Sequence, residues 1–242
     1  SPSPLTESAK GFVMTLAGPV NTLSSTKAFT SQTLALELLA IRLAQSRGLM
    51  KERWPRELEN LSRVPEIVRS VLALEDRAAA IAKDLANYDH VFILARGALL
   101  PMAYEGALKL KEVAHFHAEG YSTGEFGHGP LAMVGPHTPI ILIAFADEVD
   151  SSNLSLARAF RARGAPIWLF SEDGPQKDQV MASLADVFFP LPAVQARLRP
   201  IVAIIPLQLL AYHLGRLRLV DVDKPGGLLG GEERLKVESG GY

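Results

Sequence analysis

Residues 99–116 read LLPMAYEGALKLKEVAHF, mostly apolar or small residues with a few charges set among them. At about 100° per residue of helix, Glu105, Lys109 and Glu112 fall within an arc of roughly 60°, while Lys111 points to another side. Two readings fit this stripe. One is a solvated face carrying two helical ion pairs, each worth a few tenths of a kcal/mol. The other is a carboxylate base beside a cation. Burial raises the pKa of a glutamate and a neighbouring lysine lowers it, so such a group can move a proton between adjacent carbons of a sugar. The lysine can then hold an anionic part of the substrate.

The segment that follows, HAEGYSTGEFGHGP (117–130), holds two histidines, two glutamates and four glycines. That is more polar and special-backbone character than a simple connection needs. A loop histidine is commonly just exposed. His128, between two glycines and with Pro130 fixing the exit, reads as a presented side chain.

These residues need a frame. Val91–Ala95, Ile140–Phe145, Pro166–Phe170 and Val187–Leu191 are apolar runs of strand length, and helical patterns follow to about His115, over Asn153–Arg163 and over Pro200–Leu217. Strands apolar on both faces, alternating with helices, indicate a parallel sheet covered on both sides. In such sheets ligands bind beyond the carboxyl ends of the strands, so the loops after Ala95, Phe145 and Phe170 are the expected places. Upstream, residues 11–17 read as a short strand and Thr26–Ser46 as a helix closed by Gly48. Residues 51–87 read as helical connector, broken at Pro55 and Pro65, rather than core.

Composition narrows the function. Of 242 residues, 48% are hydrophobic and 21% charged, which supports a buried core and argues against wholesale disorder. Lys plus Arg is 25 against 26 for Asp plus Glu, so bulk charge does not mark a nucleic-acid binder. With no cysteine, a disulfide, a thiolate zinc site, an iron–sulfur cluster and a cysteine nucleophile are excluded within these residues, and a reducing, cytoplasmic setting is expected. Ile201–Leu214 includes Pro206, Gln208 and His213 and reads as too short and too polar to cross a bilayer, so no membrane partner is expected.

The stretch EGALKLKEVAHFHAEGYSTGEFGHGPLAMV (105–134) resembles the second sugar isomerase (SIS) domain in the isomerase half of glutamine–fructose-6-phosphate aminotransferases. It is similar, more loosely, to stand-alone glucosamine-6-phosphate deaminase/isomerases. SSTKAFTSQTLALELLAIRLA (24–44) resembles the end of a first SIS domain, and PLQLLAYHLGRLRLVDVDKP (206–225) the close of the second. The resemblance implies an α/β three-layer sandwich with a five-stranded parallel sheet, of flavodoxin or Rossmann-like type. It implies the end of a first SIS domain over 1–48, a helical connector over 49–85, a complete second SIS domain over 86–220 and a tail over 221–242. It assigns the proton-shuttling base to Glu112, a place at the sugar to Lys109 and support of the site to Glu105. Ser25, with Thr26 and Lys27 beside it, is placed at the sugar-phosphate region, and His128 reaches in from a partner subunit to help open the sugar ring. A homodimer with a shared site and a phosphosugar substrate are thereby implied, without nucleic acid and without a metal or other cofactor, since lysine and histidine can polarise the sugar oxygens.

The sequence departs from that family in three places. No Ser-x-Ser-Gly-x-Thr phosphate loop occurs, and Arg96-Gly-Ala-Leu-Leu100 at the equivalent turn is poor in hydroxyls. The tail lysine that forms the imine in the family aligns without gaps to Gly230, and an insertion would let Lys236 serve. The cysteine that releases ammonia from glutamine is not in this chain. The expectation is a phosphosugar aldose–ketose isomerase acting on fructose 6-phosphate or glucosamine 6-phosphate, as a deaminase/isomerase or as the isomerase part of a synthase. The alternatives are a non-catalytic sugar-phosphate-binding module, as in regulators, and an inactive fragment.

Overall fold

Strands that are apolar at every position need cover on both faces, and the alternation of their side chains divides that cover into two cores. The structure, a computed structural model, describes residues 4–19, 24–49, 52–145, 147, 151–174 and 179–224. Its helices are α1 (Pro4–Ser8), α2 (Lys27–Ser46), α3 (Trp54–Ser62), α4 (Val64–Leu72), α5 (Glu75–Leu85), α6 (Leu100–Ala114), α7 (Thr123–Phe126), α8 (Ser151–Ala162), α9 (Gln179–Leu184) and α10 (Arg199–Leu217). The strands are β1 (His90–Ala95), β2 (His117–Ser122), β3 (Ile140–Ile143), β4 (Ile167–Glu172) and β5 (Val187–Leu191). They form one parallel sheet in the order β2-β1-β3-β4-β5.

Val91, Ile93, Ile141, Ile143, Trp168 and Phe170 face α4, α5, α6 and α10. Phe92, Leu94, Ile140, Leu142, Ile167 and Leu169 face the other way, where Phe126, Phe160 and Met181 of α7, α8 and α9 cover them. The three-layer α/β sandwich is the expected fold.

α10 is long and apolar enough to match a membrane span by length and composition, but it lies in the core. Ile201 to Pro206, Leu207, Leu210, Ala211 and Leu214 are all buried. Its 19 residues exceed the expected stretch, so burial, rather than shortness, is what accounts for its apolar character.

Three expectations change. Residues 11–17 form no strand: they have no ladder partner among the described residues, and Phe12, Val13, Met14 and Leu16 are exposed. The fifth strand of the sheet is β2, in the stretch read as a loop, paired with β1 from His90↔His117 to Ala95↔Ser122. Residues 64–85 are not mere connector. Val71, Ala78, Ile81, Ala82 and Leu85 belong to the larger core, against α10. Pro55 and Pro65 sit in the first turns of α3 and α4, where a missing N–H costs nothing, so they start helices rather than break one.

The helix carrying the charged stripe is fixed at both ends. Pro101 lies in the first turn of α6, and at its end His115 adopts a left-handed conformation with φ 48°. The Phe116 N–H then donates to the Leu110 carbonyl and turns the chain into β2. Gly120 of β2 packs so close to α6 that a Cβ there would lie 2.8 Å from the Ala103 carbonyl oxygen. Gly215 does the same for α10, where a Cβ would lie 2.6 Å from the Val113 carbonyl oxygen.

Candidate active site

α6 runs back along the sheet, so its last turns lie near the amino ends of the strands. There the charged stripe meets the chain entering α2. Lys109 is only 3% exposed. Its Nζ lies 2.6 Å from Glu112 Oε2 and 3.4 Å from Glu105 Oε1. Ser24, also buried, closes the group: its Oγ accepts from Lys109 Nζ at 3.0 Å and donates to Glu112 Oε2 at 2.9 Å. A solvated face is therefore not what the stripe is.

An ammonium out of water needs close anionic partners, and two carboxylates and a hydroxyl provide them. Burial pushes the Glu105 carboxyl above its ordinary value, against the lowering effect of the Lys109 charge and hydrogen bond; the nearby Glu112 charge adds to the rise. Glu112 is the more accessible carboxylate, with its side chain 20% exposed against 12% for Glu105. It can reach solvent or a ligand while Lys109 and Ser24 fix one of its oxygens, a geometry suited to holding a base in one orientation.

A family model for the SIS domain matches residues 84–215. The chain belongs to the SIS domain family. Among curated proteins, the SIS chain is 41% identical over 215 residues to a glutamine–fructose-6-phosphate aminotransferase (isomerizing) of Brucella abortus, covering 88% of this chain and 35% of that protein. It thus spans about a third of the length of the curated relatives it matches. Among solved structures, the C-terminal domain of glucosamine-fructose-6-phosphate aminotransferase from Francisella tularensis superposes with a TM-score of 0.75 at 33% identity, over 84% of this chain and 56% of that one. A glucosamine-6-phosphate deaminase from Thermotoga maritima gives 0.62 at 25% identity, over 86% and 56%.

Within this SIS chain the expected residues separate into groups. Glu105, Lys109 and Glu112 come together. Ser25, Thr26 and Lys27 sit at the start of α2, next to the cluster in sequence, yet their side chains make no hydrogen bond to it. Thr26 instead offers its carbonyl to Gln208 of α10 at 3.3 Å, and the Lys27 ammonium lies near Gly18. His128 is exposed on the turn after α7, its backbone N–H donating to the Glu125 carbonyl. Since β2 runs parallel to β1 and antiparallel to α6, its six residues carry the chain about 20 Å towards the carboxyl ends of the strands, away from Glu112. Lys236 and Gly230 lie outside the described residues.

Ser24 is the residue that sequence reasoning missed. Nothing in TLSST distinguishes the first serine from the second, and only the placement of the chain entering α2 against α6 selects it. The cluster also lies at the end of the sheet opposite to the loops after Ala95, Phe145 and Phe170, because its chemistry sits at the far end of a helix rather than in a loop. Among the described residues no His, Asp or Glu group is arranged to hold a metal ion.

Proposed function

We propose that this chain is the isomerase part of a phosphosugar enzyme of amino-sugar metabolism, with fructose 6-phosphate or glucosamine 6-phosphate as substrate. The buried Ser24–Lys109–Glu112 group carries the proposal, because it holds a carboxylate against a lysine in a chain whose relatives bear aminotransferase and deaminase names.

In this reading Glu112 takes the proton from one of the two reacting sugar carbons and returns it to the other, through an enediol or enolamine. Lys109 and Ser24 keep the carboxylate aimed, and Glu105 balances the lysine charge. His128 of a second subunit assists ring opening. The distance that the topology sets between His128 and Glu112 within one chain supports a homodimer with a shared site. Ser25, Thr26 and Lys27 face the sugar phosphate, and Lys236 is the imine-forming lysine of the tail. The segment 1–48 then belongs to a first SIS domain, with 86–220 as the second. The protein works in the cytoplasm, on a phosphosugar and without nucleic acid.

The test is Glu112→Gln. With fructose 6-phosphate, and with glucosamine 6-phosphate monitored for ammonia, the variant loses about 10²–10⁴-fold in turnover while sugar binding changes little. Unchanged turnover overturns the assignment.

A further inference from the structure

Arg53, Arg56, Asn60 and Arg63 follow one another at steps of three and four residues, so α3 and its flanks carry them on one stripe. The stripe lines two adjoining cavities of about 500 and 470 Å³, which share Arg56 and Gln195. Each is of small-molecule size. The larger opens where β4 and β5 end, against the first turn of α10, whose positive end favours an anion.

The guanidinium groups here are of two kinds. Arg199 is buried, held by Asp147 at 2.7 Å and stacked on Phe145 with its guanidinium carbon 4.6 Å from the ring centre. Arg197 is held by Glu37 and Glu57. Arg53, Arg56 and Arg63 are exposed and meet no carboxylate among the described residues. Asn60 is in the same wall, with its Nδ2 buried. Glu66 and Glu172 are also in the lining; their charge disfavours a long polyanion, and the exposed Glu66 gives an acceptor for a hydroxyl group.

We propose that this groove binds a phosphorylated, hydroxyl-bearing small molecule. Arg56 and Arg63 take the phosphate through their planar N–H forks, and Glu66 accepts from a hydroxyl. The site is separate from the Lys109 cluster. No residue is common to both, and the 15 residues of α6, about 20 Å, lie between the two ends of the sheet.

Glycerol 3-phosphate is a suitable probe because it has no carbonyl to isomerise, and inorganic phosphate is its comparison. By calorimetry, glycerol 3-phosphate binds the unaltered chain, and Arg56→Ala and Arg63→Ala each weaken it about tenfold. Glu66→Gln weakens glycerol 3-phosphate more than inorganic phosphate. Lys27→Ala, at the exposed residue proposed to face the sugar phosphate, leaves binding unchanged. The proposal is overturned by absence of binding at about 10 mM, by affinities indifferent to Arg56 and Arg63, or by loss of binding in Lys27→Ala, which would move the ligand to the proposed sugar-phosphate site. Both arginines are exposed, so their removal leaves the fold intact.

Discussion

A single lysine decides what the charged stripe of α6 is. With Lys109 in solvent, Glu105 and Glu112 would be ordinary surface carboxylates; with Lys109 buried, they are the partners it requires. Glu105 is itself largely out of water at a cost, which appears as a carboxyl held above its ordinary 4.5 by burial, with Lys109 opposing. The sign of the stability effect follows. A raised carboxyl binds its proton more tightly folded than unfolded, so its contribution is fully present below the unfolded value and is lost as pH rises through the folded value. Glu105→Gln removes that loss. Its stability is expected to decline less between about pH 4 and about pH 7 than that of the parent, and to equal or exceed the parent's at the upper end. Urea unfolding of both chains checks this; a variant less stable near neutrality would mean that the pairing with Lys109 outweighs the burial of Glu105. The helical period made the stripe legible from sequence. The burial of Lys109 was not legible, because its partner Ser24 lies 85 residues upstream in the chain.

At the scale of elements, strands apolar on both faces announced themselves and the edge strand did not. β2 carries His117, Glu119, Tyr121 and Ser122, and its residues from Glu119 onward are only partly buried. An edge strand needs cover on fewer sides, so its sequence lacks the continuous apolar signal of β1, β3 and β4. Residues 11–17 show the converse error: an apolar run is no strand without a neighbour to pair with. Close backbone approach is likewise silent in sequence, and Gly215 gives a test with opposed expectations. Alanine in a helix interior is favoured over glycine by about 1 kcal/mol. Here its Cβ would meet the Val113 carbonyl oxygen at 2.6 Å and Val222 at 2.9 Å. Displacing backbone in a packed core costs about 1–3 kcal/mol, so Gly215→Ala is expected to destabilise. A gain in denaturation midpoint would show that α6 and α10 are not in backbone contact. Because the contact lies at the end of α6 that holds Glu112, the same variant is expected to disturb the cluster.

For the molecule as a whole, stability is unevenly distributed, and the candidate site bridges its strong and weak parts. α10 has twelve buried residues and is packed by α4, α5 and α6, whereas Ile41 is the residue of α2 that is fully buried. Leu36, Leu38, Leu39 and Leu43 of α2 are exposed. Phe29 and Leu34 of α2 pack against core clusters, and polar ties add to them: Gln208 to Thr26 and Thr30 at 3.3 Å each, Arg197 to Glu37 at 3.1 Å, and, just before α2, the Ser24 bridge to Lys109 and Glu112 of α6. Arg197 matters most among these, since it ties Glu37 of α2 to Glu57 of α3, and burial leaves the Glu37 carboxyl raised despite the arginine. Few buried apolar contacts mean a low local opening free energy. Amides of α2 are therefore expected to exchange faster than those of α10. Arg197→Ala should lower the opening free energy of α2 by about 1–3 kcal/mol, the scale of removing one partner from a partly buried ion pair, and leave the most protected amides of α10 nearly unchanged. Hydrogen exchange read by mass spectrometry separates the cases. Equal loss of protection in both helices would mean that α2 and α10 open as one unit. Slow exchange restricted to α10 would mean that Ser24 visits Lys109 and Glu112 only while α2 is docked, so the geometry of the proposed base depends on the least stable helix packed against it.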